Sequence, residues 1–171
     1  MELRLRHSPV AEGQYGQSPD SESLARFEVG RKEVRDLLVA TVRPNGRPSQ
    51  TKRSIEHLLN HLKKTSEEPI LCLYSDGEPG KELIAEWCVP VSGPVNREQF
   101  ETRILRGCTV LSYFHMGHRN TLGQAWEMMF DYIEGNNIQI SGPRREIYHD
   151  SRTPDRTRGP IELQVPLASN S

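Results

Sequence analysis

One pattern constrains this chain more than any other. From about Phe27 onward the same succession of segments is read twice. The first pass opens with a strand-like stretch, residues 33–42 (EVRDLLVATV), then a polar loop holding Pro44, Gly46 and Pro48. A helical segment follows over residues 51–64. Its Ile55, Leu58, Leu59 and Leu62 stand at i, i+3, i+4 and i+7 and form one apolar stripe. A strand over residues 69–74 (PILCLY), a turn over 75–80 (SDGEPG) and a strand over 83–91 (LIAEWCVPV) close the unit. The second pass begins with a strand over residues 101–114 (ETRILRGCTVLSYF) and a loop at His115-Met116-Gly117. A helix over residues 121–134 carries Leu122, Ala125, Trp126, Met129, Phe130 and Ile133 on one stripe, and Gly135-Asn136-Asn137 stops it. A strand over 145–150, a charged loop over 151–159 and a strand over 161–167 (IELQVPL) end the pass.

Two local matches tie the passes together. Tyr74-Ser75-Asp76 corresponds to Tyr148-His149-Asp150, and Glu86-Trp87-Cys88-Val89-Pro90-Val91 to Glu162-Leu163-Gln164-Val165-Pro166-Leu167. The expected fold is α+β, with pseudo-twofold duplicated βαββ halves over about residues 27–95 and 96–167. The sheets are expected to be antiparallel, with helices on one face. Proline cannot donate to a ladder, so Pro90 and Pro166 should each finish a sheet. The faces left uncovered would then meet in a central cleft, where small-molecule sites usually form.

Residues 1–25 hold Pro9, Gly13, Gly16 and Pro19 without any period and read as a flexible leader. Hydrophobic residues make up 35% of the chain, low enough that a core must coexist with polar segments. The 22 Lys+Arg nearly balance the 23 Asp+Glu, so no nucleic-acid or anionic-membrane surface is expected. No apolar run approaches the roughly 20 residues of a membrane helix, and the first residues lack the apolar centre of a secretory signal. Cys72, Cys88 and Cys108 are odd in number, form no CxxC and sit in apolar runs. They read as reduced, buried thiols of a cytoplasmic protein. His57 and His61 stand at i, i+4 but find no third ligand, so a solvated helix face is expected and neither metal nor cofactor is. GxSxG, Cys–His and P-loop patterns are absent.

The stretch 115–167 resembles the second half of the GyrI-like, or effector-binding (SOUL/GyrI), domain family. The residues that carry the resemblance are His115-Met116-Gly117, Leu122-Gly123-Gln124-Ala125-Trp126, Gly142-Pro143-Arg144-Arg145-Glu146-Ile147-Tyr148 and Ile161-Glu162-Leu163-Gln164-Val165-Pro166-Leu167. In the first half, residues 85–91 followed by Ser92-Gly93-Pro94-Val95 fit as well, so the resemblance covers roughly residues 27–167. It implies two βαββ halves around a cleft for a lipophilic, often cationic or aromatic small molecule. Family members occur fused to helix-turn-helix domains in drug-responsive regulators, or alone as sequestering proteins and gyrase inhibitors. A subset hydrolyses electrophilic cyclopropane-bearing genotoxins. The 26 residues before Phe27 are too few for a helix-turn-helix domain, so a stand-alone member without direct DNA binding is expected.

Within that frame Glu146 is the leading site residue. Strand alternation puts Glu146 and Tyr148 on one face and Ile147 on the other. Ile147 suits the helix-packed face, which turns Glu146 and Tyr148 to the cleft, and the resemblance places the matching Glu in the ligand pocket. A carboxylate on an apolar wall attracts a cation or takes up a proton. The bland alternative is a solvent-facing Glu146 paired with Arg144 or Arg145. In the first half Tyr74 corresponds to Tyr148 and Cys72 to Glu146. The cleft therefore holds one carboxylate, which disfavours paired-acid chemistry. Tyr74, Tyr148, Tyr113, Trp87 and Trp126 are the aromatic candidates for stacking and cation–π contact. Trp126 lies on the helix stripe and reads as core, whereas Trp87 reads equally as core or wall. His115 matches a family position near the cleft rim. Arg152, Arg156 and Arg158 read as a solvated loop. Three functions compete: binding of a drug-like compound, hydrolysis with Glu146 as general base, and inhibition of a protein partner such as gyrase.

Overall fold

The structure, a computed structural model, describes residues 28–42, 56, 58–60, 62, 68–75, 84–95, 100–149 and 160–169. The expected leader, most of the first helix with its two histidines, the turn at 76–80 and the loop at 151–159 lie outside them.

Eight strands are described: β1 (Gly30–Val34), β2 (Leu37–Val42), β3 (Ile70–Ser75), β4 (Ile84–Pro90), β5 (Glu101–Leu105), β6 (Cys108–His115), β7 (Arg144–Tyr148) and β8 (Ile161–Pro166). The helix α1 (Leu122–Gly135) follows a 3-10 turn at Arg119–Thr121. Long unbranched and aromatic residues carry α1. The chain leaves it through Asn136 and Asn137, the latter at φ 51°, a left-handed position that asparagine tolerates.

The two long strands expected at 33–42 and 101–114 are each broken in two, after Val34 and after Leu105. The breaks face each other, since Val34 pairs with Cys108 and Leu37 with Leu105. Asp36 joins them: its carboxylate accepts the Gly107 N–H at 2.7 Å and Arg106 Nη1 at 2.8 Å. A Cβ on Gly107 would stand 2.4 Å from the Val34 carbonyl oxygen, so only glycine fits. At this crossing both ladders change partners.

The strands form one antiparallel sheet in the order β1-β6-β8-β7-β3-β4-β2-β5. This corrects the expectation of two sheets meeting face to face: strands of both passes lie in one sheet, paired through the central β3–β7 ladder from Ile70↔Tyr148 to Tyr74↔Arg144 and again through the outer β1–β6 and β2–β5 ladders. The residues of β3 and β7 are mostly buried, and pairing satisfies backbone groups that stacking would leave exposed as edges. The outer edges fall to the short, polar β1 and β5, which suit exposure. Pro90 and Pro166 do end their strands, but β4 and β8 are interior to the sheet rather than its margin.

Leu122, Ala125, Met129 and Ile133 of α1 pack on one face with Ala40, Ile70, Trp87, Val89, Leu111 and Leu163. Of the first stripe, Leu58 and Leu62 are buried in the same cluster and joined by a Leu62 N–H bond to Leu58 O, and Leu59 is partly buried against it. Burying a side chain such as Met129, 0% exposed, contributes about 1.5–3 kcal/mol. Val39, Leu71, Leu73, Cys88, Leu105 and Ile147 form a second cluster. Ile147 therefore lies opposite α1, and Glu146 and Tyr148 share the helix face, the reverse of the expected assignment. Alternation fixes which residues share a face, but not which face a distant helix covers. Among the described residues no helix is long and apolar enough to cross a membrane.

Candidate functional site

The ladder register lines up residues that are far apart in sequence. Trp87 of β4 pairs with Cys72 of β3, Cys72 with Glu146 of β7, Glu146 with Leu163 of β8, and Leu163 with Tyr113 of β6. These five form a single row across the sheet, and neighbouring strands lie about 4.8 Å apart. Tyr74 and Tyr148 sit two residues along their strands from Cys72 and Glu146, so they share the same face. Trp126 reaches down onto it from α1.

Glu146 is 5% exposed and is the hub. Its Oε2 accepts the Tyr148 hydroxyl at 2.5 Å and the Tyr74 hydroxyl at 3.0 Å, and its Oε1 accepts Trp126 Nε1 at 2.9 Å. All three donors are neutral. Among the described residues no lysine, arginine or histidine forms an ion pair with Glu146. The bland pairing with Arg144 or Arg145 does not occur. Arg145 lies on the opposite face against Cys108 Sγ at 3.4 Å, and Arg144 stacks on rings.

Burial, reinforced by the Glu146 charge, pushes the Tyr74 and Tyr148 hydroxyls well above the ordinary tyrosine range. Both stay protonated and keep donating at neutral pH. Burial likewise pushes the Cys72 thiol up, so it is a wall residue rather than a nucleophile.

Aromatic rings surround the acid. Trp87 and Tyr148 have centroids 5.3 Å apart, and Trp126 stacks on Phe130 at 5.7 Å. Arg144 lies 5.3 Å over Phe130, 5.6 Å over Trp126 and 6.0 Å over Tyr74. Arg119 lies 5.1 Å over the Tyr148 ring and donates to its hydroxyl at 3.2 Å. Both arginines are half-buried. They show that these ring faces accept flat cations.

Of the residues singled out from sequence, Glu146, Tyr148, Tyr74, Cys72 and Trp87 come together. Tyr113 is half-buried, packs on the α1-face core and lies two strands from Glu146 in the same row. The His115 Nε2 is engaged by the turn before α1, 3.1 Å from His118 O and 3.2 Å from Thr121 Oγ1. Gly117 allows that fit, because a Cβ there would meet the imidazole at 2.8 Å. Two participants, Arg144 and Arg119, were not singled out as site residues, and Trp126 was weighed among the aromatic candidates but given to the core. Trp126 read as core because the helix stripe cannot separate a core position from one at the rim of the stripe. Arg144 could have been found, since alternation puts it with Glu146 and Tyr148. Arg119 sits in a loop without any periodic signal. No group of three His, Cys, Asp or Glu among the described residues is placed to hold a metal ion.

A buried acid ringed by aromatic donors on a curled antiparallel sheet is an arrangement suited to a domain that binds small molecules. The chain belongs to the GyrI-like small molecule binding domain family, whose profile matches residues 31–168. Solved structures share the fold. The EcmrR C-terminal domain is 21% identical with a TM-score of 0.67, and the match covers 84% of this chain and 99% of that one. EcmrR solved with DNA is 20% identical with a TM-score of 0.66; the match covers 86% of this chain but 60% of that one. SAV2435, solved bound to tetraphenylphosphonium, is 16% identical with a TM-score of 0.58, covering 83% and 94%. A Listeria innocua protein described as a hydrolase is 11% identical with a TM-score of 0.57, covering 86% and 96%. No curated protein matches this chain in sequence.

Proposed function

We propose that this domain binds a lipophilic, aromatic, cationic small molecule against the Tyr74–Trp87–Trp126–Tyr148 wall, with Glu146 as the pocket acid. The observation that carries this reading is the charge balance at Glu146. Its carboxylate is buried, held by three neutral donors and left without a direct countercharge among the described residues. Those bonds are made by neutral groups, and the Arg119 charge acts on the acid only through space and through the Tyr148 hydroxyl, so a cation entering beside the carboxylate can take a direct ion-pair position that no described side chain fills. Arg119 and Arg144 lie on ring faces rather than on the acid, and a ligand can displace them. The tetraphenylphosphonium bound by SAV2435 has the same chemistry.

The site's place in the fold supports a doubled βαββ plan. The Val39↔Pro90 pairing recurs as Val110↔Pro166, and Leu71↔Cys88 recurs as Arg145↔Gln164. Cys72 and Glu146, equivalent in such a plan, pair directly at its centre. The single acid therefore sits where the two halves join. Calorimetric titration with tetraphenylphosphonium tests the function: saturable one-site binding, weakened in Glu146→Gln, is expected. The absence of saturable binding overturns the reading.

One observation favours a second reading. Among the described residues Glu146 Oε1 accepts only the Trp126 bond, which leaves a lone pair that can take a proton from water. In that case the domain adds water to an electrophilic cyclopropane, with Glu146 as general base. Mass spectrometry of such a substrate, incubated with the wild type and with Glu146→Gln, separates turnover from binding.

A further inference from the structure

One polar atom on the α1 face has no role in the arrangement just described. Trp87 is 4% exposed, and its Nε1 meets no hydrogen-bond acceptor among the described residues. An indole N–H only donates, so it must find an acceptor or remain unsatisfied. A buried donor left without one costs roughly 1–3 kcal/mol. The neighbouring Tyr148 ring does not relieve it, because the two rings are tilted by 37° rather than set edge to face. The contrast with Trp126 is direct: that indole has Glu146 as its acceptor.

Trp87 also sits in the right place to meet a ligand. It stands two strands from Glu146 in the same row, about 10 Å away by strand spacing. Its ring lies 5.3 Å from that of Tyr148, which donates to the acid. A cation held at Glu146 and spread over these rings would bring its far end toward the unsatisfied indole.

We infer that Trp87 is a specificity residue and that its indole N–H donates to an uncharged carbonyl or ether oxygen carried by the ligand. The preferred ligand class is thus a lipophilic aromatic cation that bears such an oxygen. A purely hydrocarbon cation fills the site but leaves Trp87 unsatisfied. This inference rests on the cation-binding reading of the same site.

The test uses matched probes: tetraphenylphosphonium and the three isomers of its mono-methoxycarbonyl derivative, titrated into the full chain by calorimetry. At least one ester isomer should bind the wild type about five- to tenfold more tightly than the parent, the worth of one hydrogen bond. In Trp87→Phe the ratio of ester to parent affinity should fall to about one, whatever the change in parent affinity itself, and a far-UV circular dichroism spectrum matching the wild type reports that the variant is folded. A measurement on the wild type stands beside it. The chain has two tryptophans, so two indole N–H resonances are expected, with Trp126→Phe assigning them. The Trp87 resonance should move downfield with the ester and not with the parent. Equal wild-type affinity for all four probes, or a preference that survives Trp87→Phe, overturns the inference and leaves the cation site standing. If none of the four binds, the cation site itself fails, and this inference with it.

Discussion

Replacing Glu146 by glutamine removes one charge and almost no volume. The carboxylate oxygens take bonds from Tyr74, Tyr148 and Trp126. In Glu146→Gln the amide oxygen can still accept from Trp126, and both tyrosine hydroxyls can turn to accept from the amide nitrogen. The two hydroxyl protons lose their acceptor in the exchange, so the fold should lose about 1–3 kcal/mol. Binding should weaken as well. A phosphonium centre about 6 Å from the carboxylate gains about 3 kcal/mol at an effective dielectric of about 20. Desolvation of the charges takes back part of this, which leaves ~1.5–2.5 kcal/mol, or ~10–60-fold in Kd. Tetraphenylborate has the same shape and the opposite charge, so it isolates the electrostatic part. The assay is a pair of calorimetric titrations on each protein. The wild type should prefer the phosphonium strongly, and the variant should narrow the gap from both sides. An unchanged preference in a folded variant would refute the idea that the buried charge selects the ligand.

Three further outcomes are expected from the same structure. Gly107→Ala drives a Cβ into the Val34 carbonyl where four strands change partners, so urea denaturation should show a loss of at least about 2 kcal/mol, whereas Gly135→Ala, with open space around it, should cost little. Acid should weaken the chain through Glu162: burial pushes this carboxyl up, but bonds from His149, Lys32, Ser112 and Gln164 outweigh it and hold it at about 2. A depressed folded-state value means that its stabilisation is complete above about pH 4.5 and fades as pH falls toward 2. The urea midpoint should therefore drop across that window, and less steeply in Glu162→Gln. Finally, a thiol reagent should modify half-buried Cys108 first and reach buried Cys72 and Cys88 only on unfolding, which mass spectrometry after timed quenching resolves.

Much of this protein was legible in its residues because short-range periodicity survives folding. Leu122, Ala125, Met129 and Ile133 at helical spacing marked α1 and its buried side. The Tyr74 and Tyr148 matches placed β3 and β7, and alternation put Glu146 beside Tyr148. The two breaks were missed because Arg35-Asp36 and Arg106-Gly107 interrupt otherwise continuous strand patterns, and only the facing crossing explains them. Trp126 was taken as core for a similar reason: a stripe says which residues face inward, not which of them ends at a carboxylate.

The sequence alone determined the local order: which segments extend, which coil, and which side chains share a face. Those properties depend on neighbours a few residues away, and the chain carries them wherever it goes. Only the tertiary structure decided that β3 pairs with β7, that α1 covers the face of Glu146 rather than that of Ile147, and that Trp87, Cys72, Glu146 and Tyr113 fall in one row. Register and facing are set by how distant strands bury their apolar surface together, and no short window of residues contains that sum.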